Sequence, residues 1–190
     1  MKHLVASCAF LLALPAAADF DAASYPPYET CALCHGLFGQ SRTAKVPHLA
    51  GQKPAYLRAQ LDAFLVGDRS NDGGQMVSIV TELKPEDFDV VVKWFSEQDP
   101  PVPSAVPADN EAKKLTTEAR CLICHGEDSS QDVPHLTAQH AGYLAKQMRD
   151  FRDGARTYGA VAEMHREVFQ PMEGRIDQIA AYLSSLERSP

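Results

Sequence analysis

Apolar residues recur at helical rather than alternating spacing. Pro54 just inside a start and Gly67 just past an end bracket a segment with Tyr56, Leu57, Leu61, Phe64 and Leu65 on it, which predicts an amphipathic helix. A near copy runs to Gly154 with Tyr143, Leu144, Met148 and Phe151. A further helix is predicted to open near Pro85-Glu86-Asp87, where carboxylates suit the positive end of a helix dipole. It turns Phe88, Val91, Val92 and Phe95 inward and sets Trp94 at an interface between domains; its counterpart carries Ile176, Ile179, Ala180, Leu183 and Leu186. No useful run alternates, so the expected class is all-α.

The pattern doubles. Val46-Pro47-His48-Leu49, Gln52, Tyr56-Leu57, Gln60-Leu61, Phe64, Gly67 and Arg69 return as Val133-Pro134-His135-Leu136, Gln139, Tyr143-Leu144, Gln147-Met148, Phe151, Gly154 and Arg156, and from Pro47 onward each partner lies 87 positions later. Such self-similarity marks a tandem repeat. Between the copies, Asp99-Pro100-Pro101-Val102-Pro103-Ser104-Ala105-Val106-Pro107 is too proline-rich for helix and predicts an extended spacer. The expected organisation is residues 1–18 as a leader, 19–99 and 108–190 as domains, and 100–107 as linker. The leader follows from Lys2, the apolar run Leu4 to Leu14 and Ala16-Ala17-Ala18, a secretory signal layout too short to span a bilayer. A lipoprotein reading through Cys8 leaves almost no hydrophobic segment ahead of the cysteine.

Export changes what the cysteines can be. Of five, Cys8 leaves with the leader, and the other four stand in Cys31-Ala32-Leu33-Cys34-His35 and Cys121-Leu122-Ile123-Cys124-His125. Two thiols and an imidazole at this spacing read as a covalent c-type haem attachment site: on one helical turn they share a face, and Gly36 or Gly126 then lets the backbone turn away. The motif cysteines lie 90 apart, so the second copy has lost three residues before V-P-H-L. A redox dithiol or a four-thiolate zinc site competes, but a thioredoxin-like motif belongs near a βαβ pattern, and zinc leaves both histidines without a reason. The cofactors expected are two haem c groups, bound through Cys31, Cys34, Cys121 and Cys124, with His35 and His125 on the irons. All four thiols being used, none remains for a disulfide, an axial ligand or a nucleophile.

The sixth ligand decides the chemistry, since Met opposite His gives a saturated iron of raised potential. Met76 lies 12 residues before Phe88 and Met164 lies 12 before Ile176; this register selects Met76 for the first iron and Met164 for the second. Met148 aligns with Leu61 and reads as core, and Met172 has no counterpart. His165, beside Met164, offers a bis-histidine alternative at lower potential. His48 and His135 are expected to face solvent or to bond behind the ligands, with the carbonyls of Pro47 and Pro134 orienting the imidazoles of His35 and His125. Arg69 and Arg156, with Tyr56 and Tyr143, are candidates for haem propionate or domain-interface contacts.

These motifs, from C-x-x-C-H-G through P-x-L-x-x-Q, Y-L-x-x-Q-L/M-x-x-F-x-x-G-x-R and the late Met, resemble the dihaem cytochromes c of the cytochrome c4 type over essentially the whole mature chain. The resemblance implies two class I cytochrome c domains about a pseudo-twofold axis, propionates facing each other near the interface, and a periplasmic one-electron carrier feeding a terminal oxidase rather than an enzyme. Phe169 to Arg175 departs from the family's usual start to the last helix, and Thr137-Ala138 stands where the first half has Ala50-Gly51. The partners implied are a donor cytochrome or dehydrogenase complex and a terminal oxidase or reductase, with peripheral membrane association left open. The alternative is a dihaem subunit of a catalytic complex such as a sulfide-oxidising flavocytochrome. A haem enzyme in its own right fits less well: related peroxidases are longer chains, and thiosulfate-oxidising cytochromes use a Cys ligand that is absent here. Losing Lys2 makes the formal charge of −7 one unit more negative, which suits a basic docking face and disfavours nucleic acid.

Overall fold

In a computed structural model the described residues are 25–105, 109–159 and 161–188, so the predicted leader and part of the predicted linker lie outside them. The described residues contain helices and no strand. None of these helices is long and apolar enough to cross a membrane.

The first half runs α1 (Tyr28–His35), α2 (Pro54–Leu65), α3 (Gln75–Val80) and α4 (Asp87–Ser96). Pro54 starts α2 as the sequence predicts, and Gly67 follows its end at φ +80°, a left-handed conformation that costs glycine little. The Asp72 carboxylate accepts from the N–H groups of Gly74 and Met76 at 3.0 and 2.6 Å, pinning the start of α3. Leu57, Leu61 and Phe64 of α2 meet Val80 of α3 and Phe88, Val91, Val92 and Phe95 of α4 in one core that includes Cys31.

The second half has α5 (Asn110–Glu118), α6 (Cys121–His125), α7 (Ala141–Arg152), α8 (Ala162–Phe169), a 3-10 segment (Gln170–Arg175) and α9 (Ile176–Ser184). Leu144, Ala145 and Met148 of α7 pack against Phe169, Ile176, Ile179, Ala180 and Leu183 as a separate core. Helix α5 is an element the repeat pattern did not reveal. Its local signal is Asp109, whose side chain accepts from Glu111 and Ala112 N–H at 3.0 Å each.

The halves are joined by reciprocal bonds from the repeated glutamines. Gln52 donates to the His135 carbonyl at 3.0 Å and accepts from the His135 N–H at 2.9 Å; Gln139 does the same with His48, at 2.9 and 2.8 Å. Each amide thus satisfies both backbone groups of one half-buried residue on the opposite half. The next residue in each copy also crosses over: Lys53 donates to the Ser129 and Ser130 carbonyls, and His140 Nε2 donates to the Ser41 carbonyl. Arg188 spans the Ala50 and Thr137 carbonyls, and Ser104 of the proline-rich stretch is bonded to Ser184 rather than free.

Two sequence expectations change here. Trp94 is not at the interface between halves: its indole stacks on Tyr28 at 4.1 Å and donates to the Leu37 carbonyl, because the tight turn after α1 brings these residues against α4. His48 and His135 do not face solvent but sit half-buried between the halves, with the His48 ring 3.8 Å from His140. Ala138 takes φ +54° where its repeat partner Gly51 has +60°, a conformation that costs a non-glycine residue about 1 kcal/mol.

Burial first, then the charges of His140 and Arg188, pushes His48 down to about 4. A histidine that is about 6.5 when unfolded and about 4 when folded binds protons mainly in the unfolded chain between those values. Its stabilisation is complete above pH 6.5 and is lost as pH falls toward 4. The thermal midpoint is expected to decline over that window, and His48→Gln to show a shallower decline in the same scanning calorimetry series. Equal slopes in the two proteins would exclude His48 as the source.

Candidate haem sites

Helix α1 sets Cys31 inside the first core and Cys34 at the surface, one turn apart, with His35 only 6% exposed. The His35 Nδ1–H donates to the Pro47 carbonyl at 2.9 Å, which leaves Nε2 with a free lone pair. Burial lowers the affinity of His35 for a proton, against the raising effect of the Pro47 bond, so the imidazole is neutral as a metal ligand must be. The second half repeats this: the His125 Nδ1–H donates to the Pro134 carbonyl at 2.8 Å, and burial above all brings His125 down to about 4. Both proline carbonyls play the part predicted from V-P-H-L.

Burial pushes the Cys31 thiol up to about 11 and raises that of Cys121 as well. A redox dithiol needs the opposite shift. Nor do the two pairs converge: among the described residues no group of three or more His, Cys, Asp and Glu is gathered to hold a metal ion. Two thiols and a neutral imidazole with its Nε2 free, supplied once in each half, are instead the donor set that a covalent haem takes, and the residues present fit that group.

Met76 of α3 packs against the first core, as does Val77. Met164 of α8 is 47% exposed, whereas Met148 is buried, as the alignment with Leu61 predicts, and Met172 packs against the second core. His165 is half-buried, with its ring 4.7 Å from Phe151, 6.0 Å from Phe169 and 5.9 Å from His125.

The repeated arginines meet between the halves. Arg69 donates to Gln60 in its own half and to Tyr143 and Gln147 across the interface, at 2.6, 3.0 and 3.2 Å; Arg156 donates to Gln147 at 2.7 Å and reaches Gln60 and Tyr56 at 3.2 and 3.5 Å. Each guanidinium also lies 4.6 Å over a phenylalanine of its own half, Phe64 or Phe151. Burial alone raises the Tyr56 phenol, but Arg156 and Arg69 outweigh it and hold it below its ordinary value. Of the two duties proposed for these residues, the interface contact is the one the geometry displays.

Two helical halves, each with a C-x-x-C-H helix whose histidine is backed by a proline carbonyl, define a dihaem c-type cytochrome. The cytochrome c family model matches residues 110–187. Cytochrome c4 of Pseudomonas aeruginosa is 31% identical over 189 residues, covering 93% of each chain, and the chain belongs to the cytochrome c4 family. The cytochrome c4 structure from Acidithiobacillus ferrooxidans superposes with a TM-score of 0.70 at 28% identity, over 83% of this chain and 99% of that one. A protein of Thiomonas intermedia named thiosulfate dehydrogenase electron acceptor is 28% identical over 184 residues, 89% of this chain and 84% of its own. The protein is accordingly an electron-transfer cytochrome with two haem c groups.

Proposed function

We propose that this chain is an exported, periplasmic carrier that takes single electrons from a respiratory dehydrogenase or donor cytochrome and delivers them to a terminal oxidase or reductase. Cys31 and Cys34 would hold the first haem, with His35 and Met76 as its iron ligands; Cys121 and Cys124 would hold the second, with His125 and Met164 as its iron ligands and His165 as the alternative to Met164. When bound, each haem supplies a reversible one-electron ferrous/ferric couple. The chain's own contribution is to fix the ligands. Pro47 and Pro134 lock the tautomer of His35 and His125, so that neither imidazole need turn or change protonation as charge comes and goes. That paired arrangement is the observation which carries the reading.

Docking follows from what surrounds the attachment helices. Leu33 is 87% exposed, Phe38 57% and Ile123 69%, giving each half a small apolar spot on an acidic protein. Such surfaces suit brief encounters with a basic partner, fast at low salt and slowed as salt rises. The Thiomonas relative favours one specific second reading, in which the donor is a dehydrogenase acting on a reduced sulfur compound.

A potentiometric titration of the purified protein, followed optically with carbon monoxide as a probe, tests the carrier role. Two one-electron steps and no carbon monoxide binding to the reduced protein are expected. Rapid binding at either centre would mark an open coordination site and an enzyme or gas-binding protein instead.

A further inference from the structure

We infer that Lys53, a residue of the first half, serves the haem of the second: it fixes the loop behind His125 and places there a positive charge that raises that haem's reduction potential. The inference rests on attachment of the second haem at Cys121, Cys124 and His125, as proposed above.

The loop concerned is the one that the second copy has shortened. It runs from Gly126 to Val133 and joins His125 to Pro134, whose carbonyl orients the His125 ring; the corresponding stretch of the first half is three residues longer. The longer loop is tied mainly to its own half. The Ser41 hydroxyl donates to the Cys34 carbonyl and accepts from the Thr43 N–H, and the Gly39 carbonyl takes the N–H groups of Leu49 and Ala50. The shorter loop is held from across the interface. Lys53 Nζ donates to the Ser129 carbonyl at 2.9 Å, to the Ser129 hydroxyl at 2.5 Å and to the Ser130 carbonyl at 3.1 Å, and the Tyr56 N–H, in the first turn of α2, donates to the Gln131 carbonyl at 3.1 Å. Three consecutive residues are thus anchored by one end of a helix in the other half, and that end is the positive end of its dipole. The Ser129 hydroxyl carries the restraint on to the Gly126 carbonyl, 2.7 Å away and next in the chain to His125. In the repeat the position of Lys53 is taken by His140, which gives the Ser41 carbonyl one bond from an imidazole.

The bonding pattern makes Lys53 a cation. Ser129 spends its own proton on Gly126, so its oxygen accepts from Lys53, and the two carbonyls accept as well; three acceptors require the three N–H groups that only an ammonium has. None of the three acceptors carries a charge, and Lys53 is 5% exposed. Burial weakens its hold on the proton and the Asp132 carboxylate strengthens it, but Asp132 is itself exposed and accepts from the Ser130 hydroxyl, so water screens its field. The field of the ammonium reaches the iron ligand: burial does most to lower the affinity of His125 for a proton, and the charges of Lys53 and Arg156 add to it, whereas at His35 the causes are burial and the opposing Pro47 bond. A cation that opposes a proton on an imidazole opposes, by the same sign, the extra positive charge that oxidation puts on an iron bound to it. Lys53 therefore favours the ferrous state of the second haem and leaves the first alone.

The test is proton NMR of the haem methyl groups during partial reduction of the holoprotein, each haem assigned to its half by nuclear Overhauser contacts, with covalent haem counted by alkaline pyridine assay in every sample. In Lys53→Met the ferrous-to-ferric ratio of the second haem at a fixed potential should fall roughly fivefold, the order of effect a unit charge exerts over about 15 Å inside a protein. The first haem should be unchanged, and Lys53→Arg, which keeps the charge, should restore most of the ratio. Should Lys53→Met fail to load two haems, Lys53→Gln, whose amide can still donate to the loop, takes its place with the same expectation. No shift, an equal shift at both haems, or the same fall in Lys53→Arg overturns the assignment. A rise at the second haem overturns it too, since that is the sign expected if Lys53 only secures the Pro134 bond that makes His125 a stronger donor to ferric iron. Fewer than two haems in the unsubstituted chain overturns the attachment reading itself.

Discussion

Alanine at both Cys121 and Cys124 is expected to yield a chain with half the covalent haem of the unsubstituted protein and a second half that exchanges its amides freely. Helix α6 buries no side chain of its own, so little else in the protein holds it in place. Each half has only about 80 residues, a size at which a single apolar core leaves a narrow margin of stability. A covalent tether keeps haem at an effective concentration of about millimolar; against a micromolar non-covalent site that is worth about 4 kcal/mol of folding free energy. Removing both thioethers removes that term from the second half, while Cys31 and Cys34 continue to serve the first. Intact mass and pyridine haemochrome per chain give the haem count, and hydrogen exchange locates the loosened helices in α8 and α9. Two covalent haems in the double variant would exclude these cysteines as the attachment points.

Arg69→Ala is expected to cost about 3 kcal/mol, which for a protein of this size lowers the melting temperature by roughly 6–12 °C. Arg69 is 6% exposed, and its guanidinium is the donor that the Tyr143 hydroxyl meets across the interface, at 3.0 Å. Gln60 and Gln147 keep Arg156 as a partner when Arg69 is removed; Tyr143 has no such substitute in the arginine pair. Hydrogen bonds to a charged donor contribute about 1.5–3 kcal/mol each, and the stacking on Phe64 adds about 0.5–2 kcal/mol where solvent is excluded. Arg69→Lys is expected to recover less than half of the loss, since an ammonium cannot reach Gln60, Tyr143 and Gln147 at once as a planar fork does. Calorimetric melting of the three proteins measures both effects. A change below about 1 kcal/mol in Arg69→Ala would mean that the interface is carried elsewhere, by Gln52 and Gln139 in particular.

Much of the molecule is legible in the chain because its determinants are local. The attachment chemistry depends on residues within one helical turn, and proline and glycine punctuate α2 wherever the rest of the protein lies. Burial of Phe88, Val91, Val92 and Phe95 follows from a period of 3.6 residues. Even the contact from Pro47 to His35 was readable, since a carbonyl a dozen residues after the ligand has few other places to go in a domain this small. The roles of the repeated polar residues were not. Gln52 and Gln139 recur at a fixed offset, yet nothing along the chain says that each bonds the backbone of the other half, and the same holds for the seat of His48 and His135 between the halves.

The chain's order alone thus determined an all-helical tandem of haem-binding modules, because covalent attachment motifs and amphipathic periods are properties of short stretches. Only the folded structure decided which polar residues join the halves. Those contacts join residues as far apart in the chain as Gln52 and His135 or His48 and Gln139, and only the docking of one half on the other brings them within bonding distance.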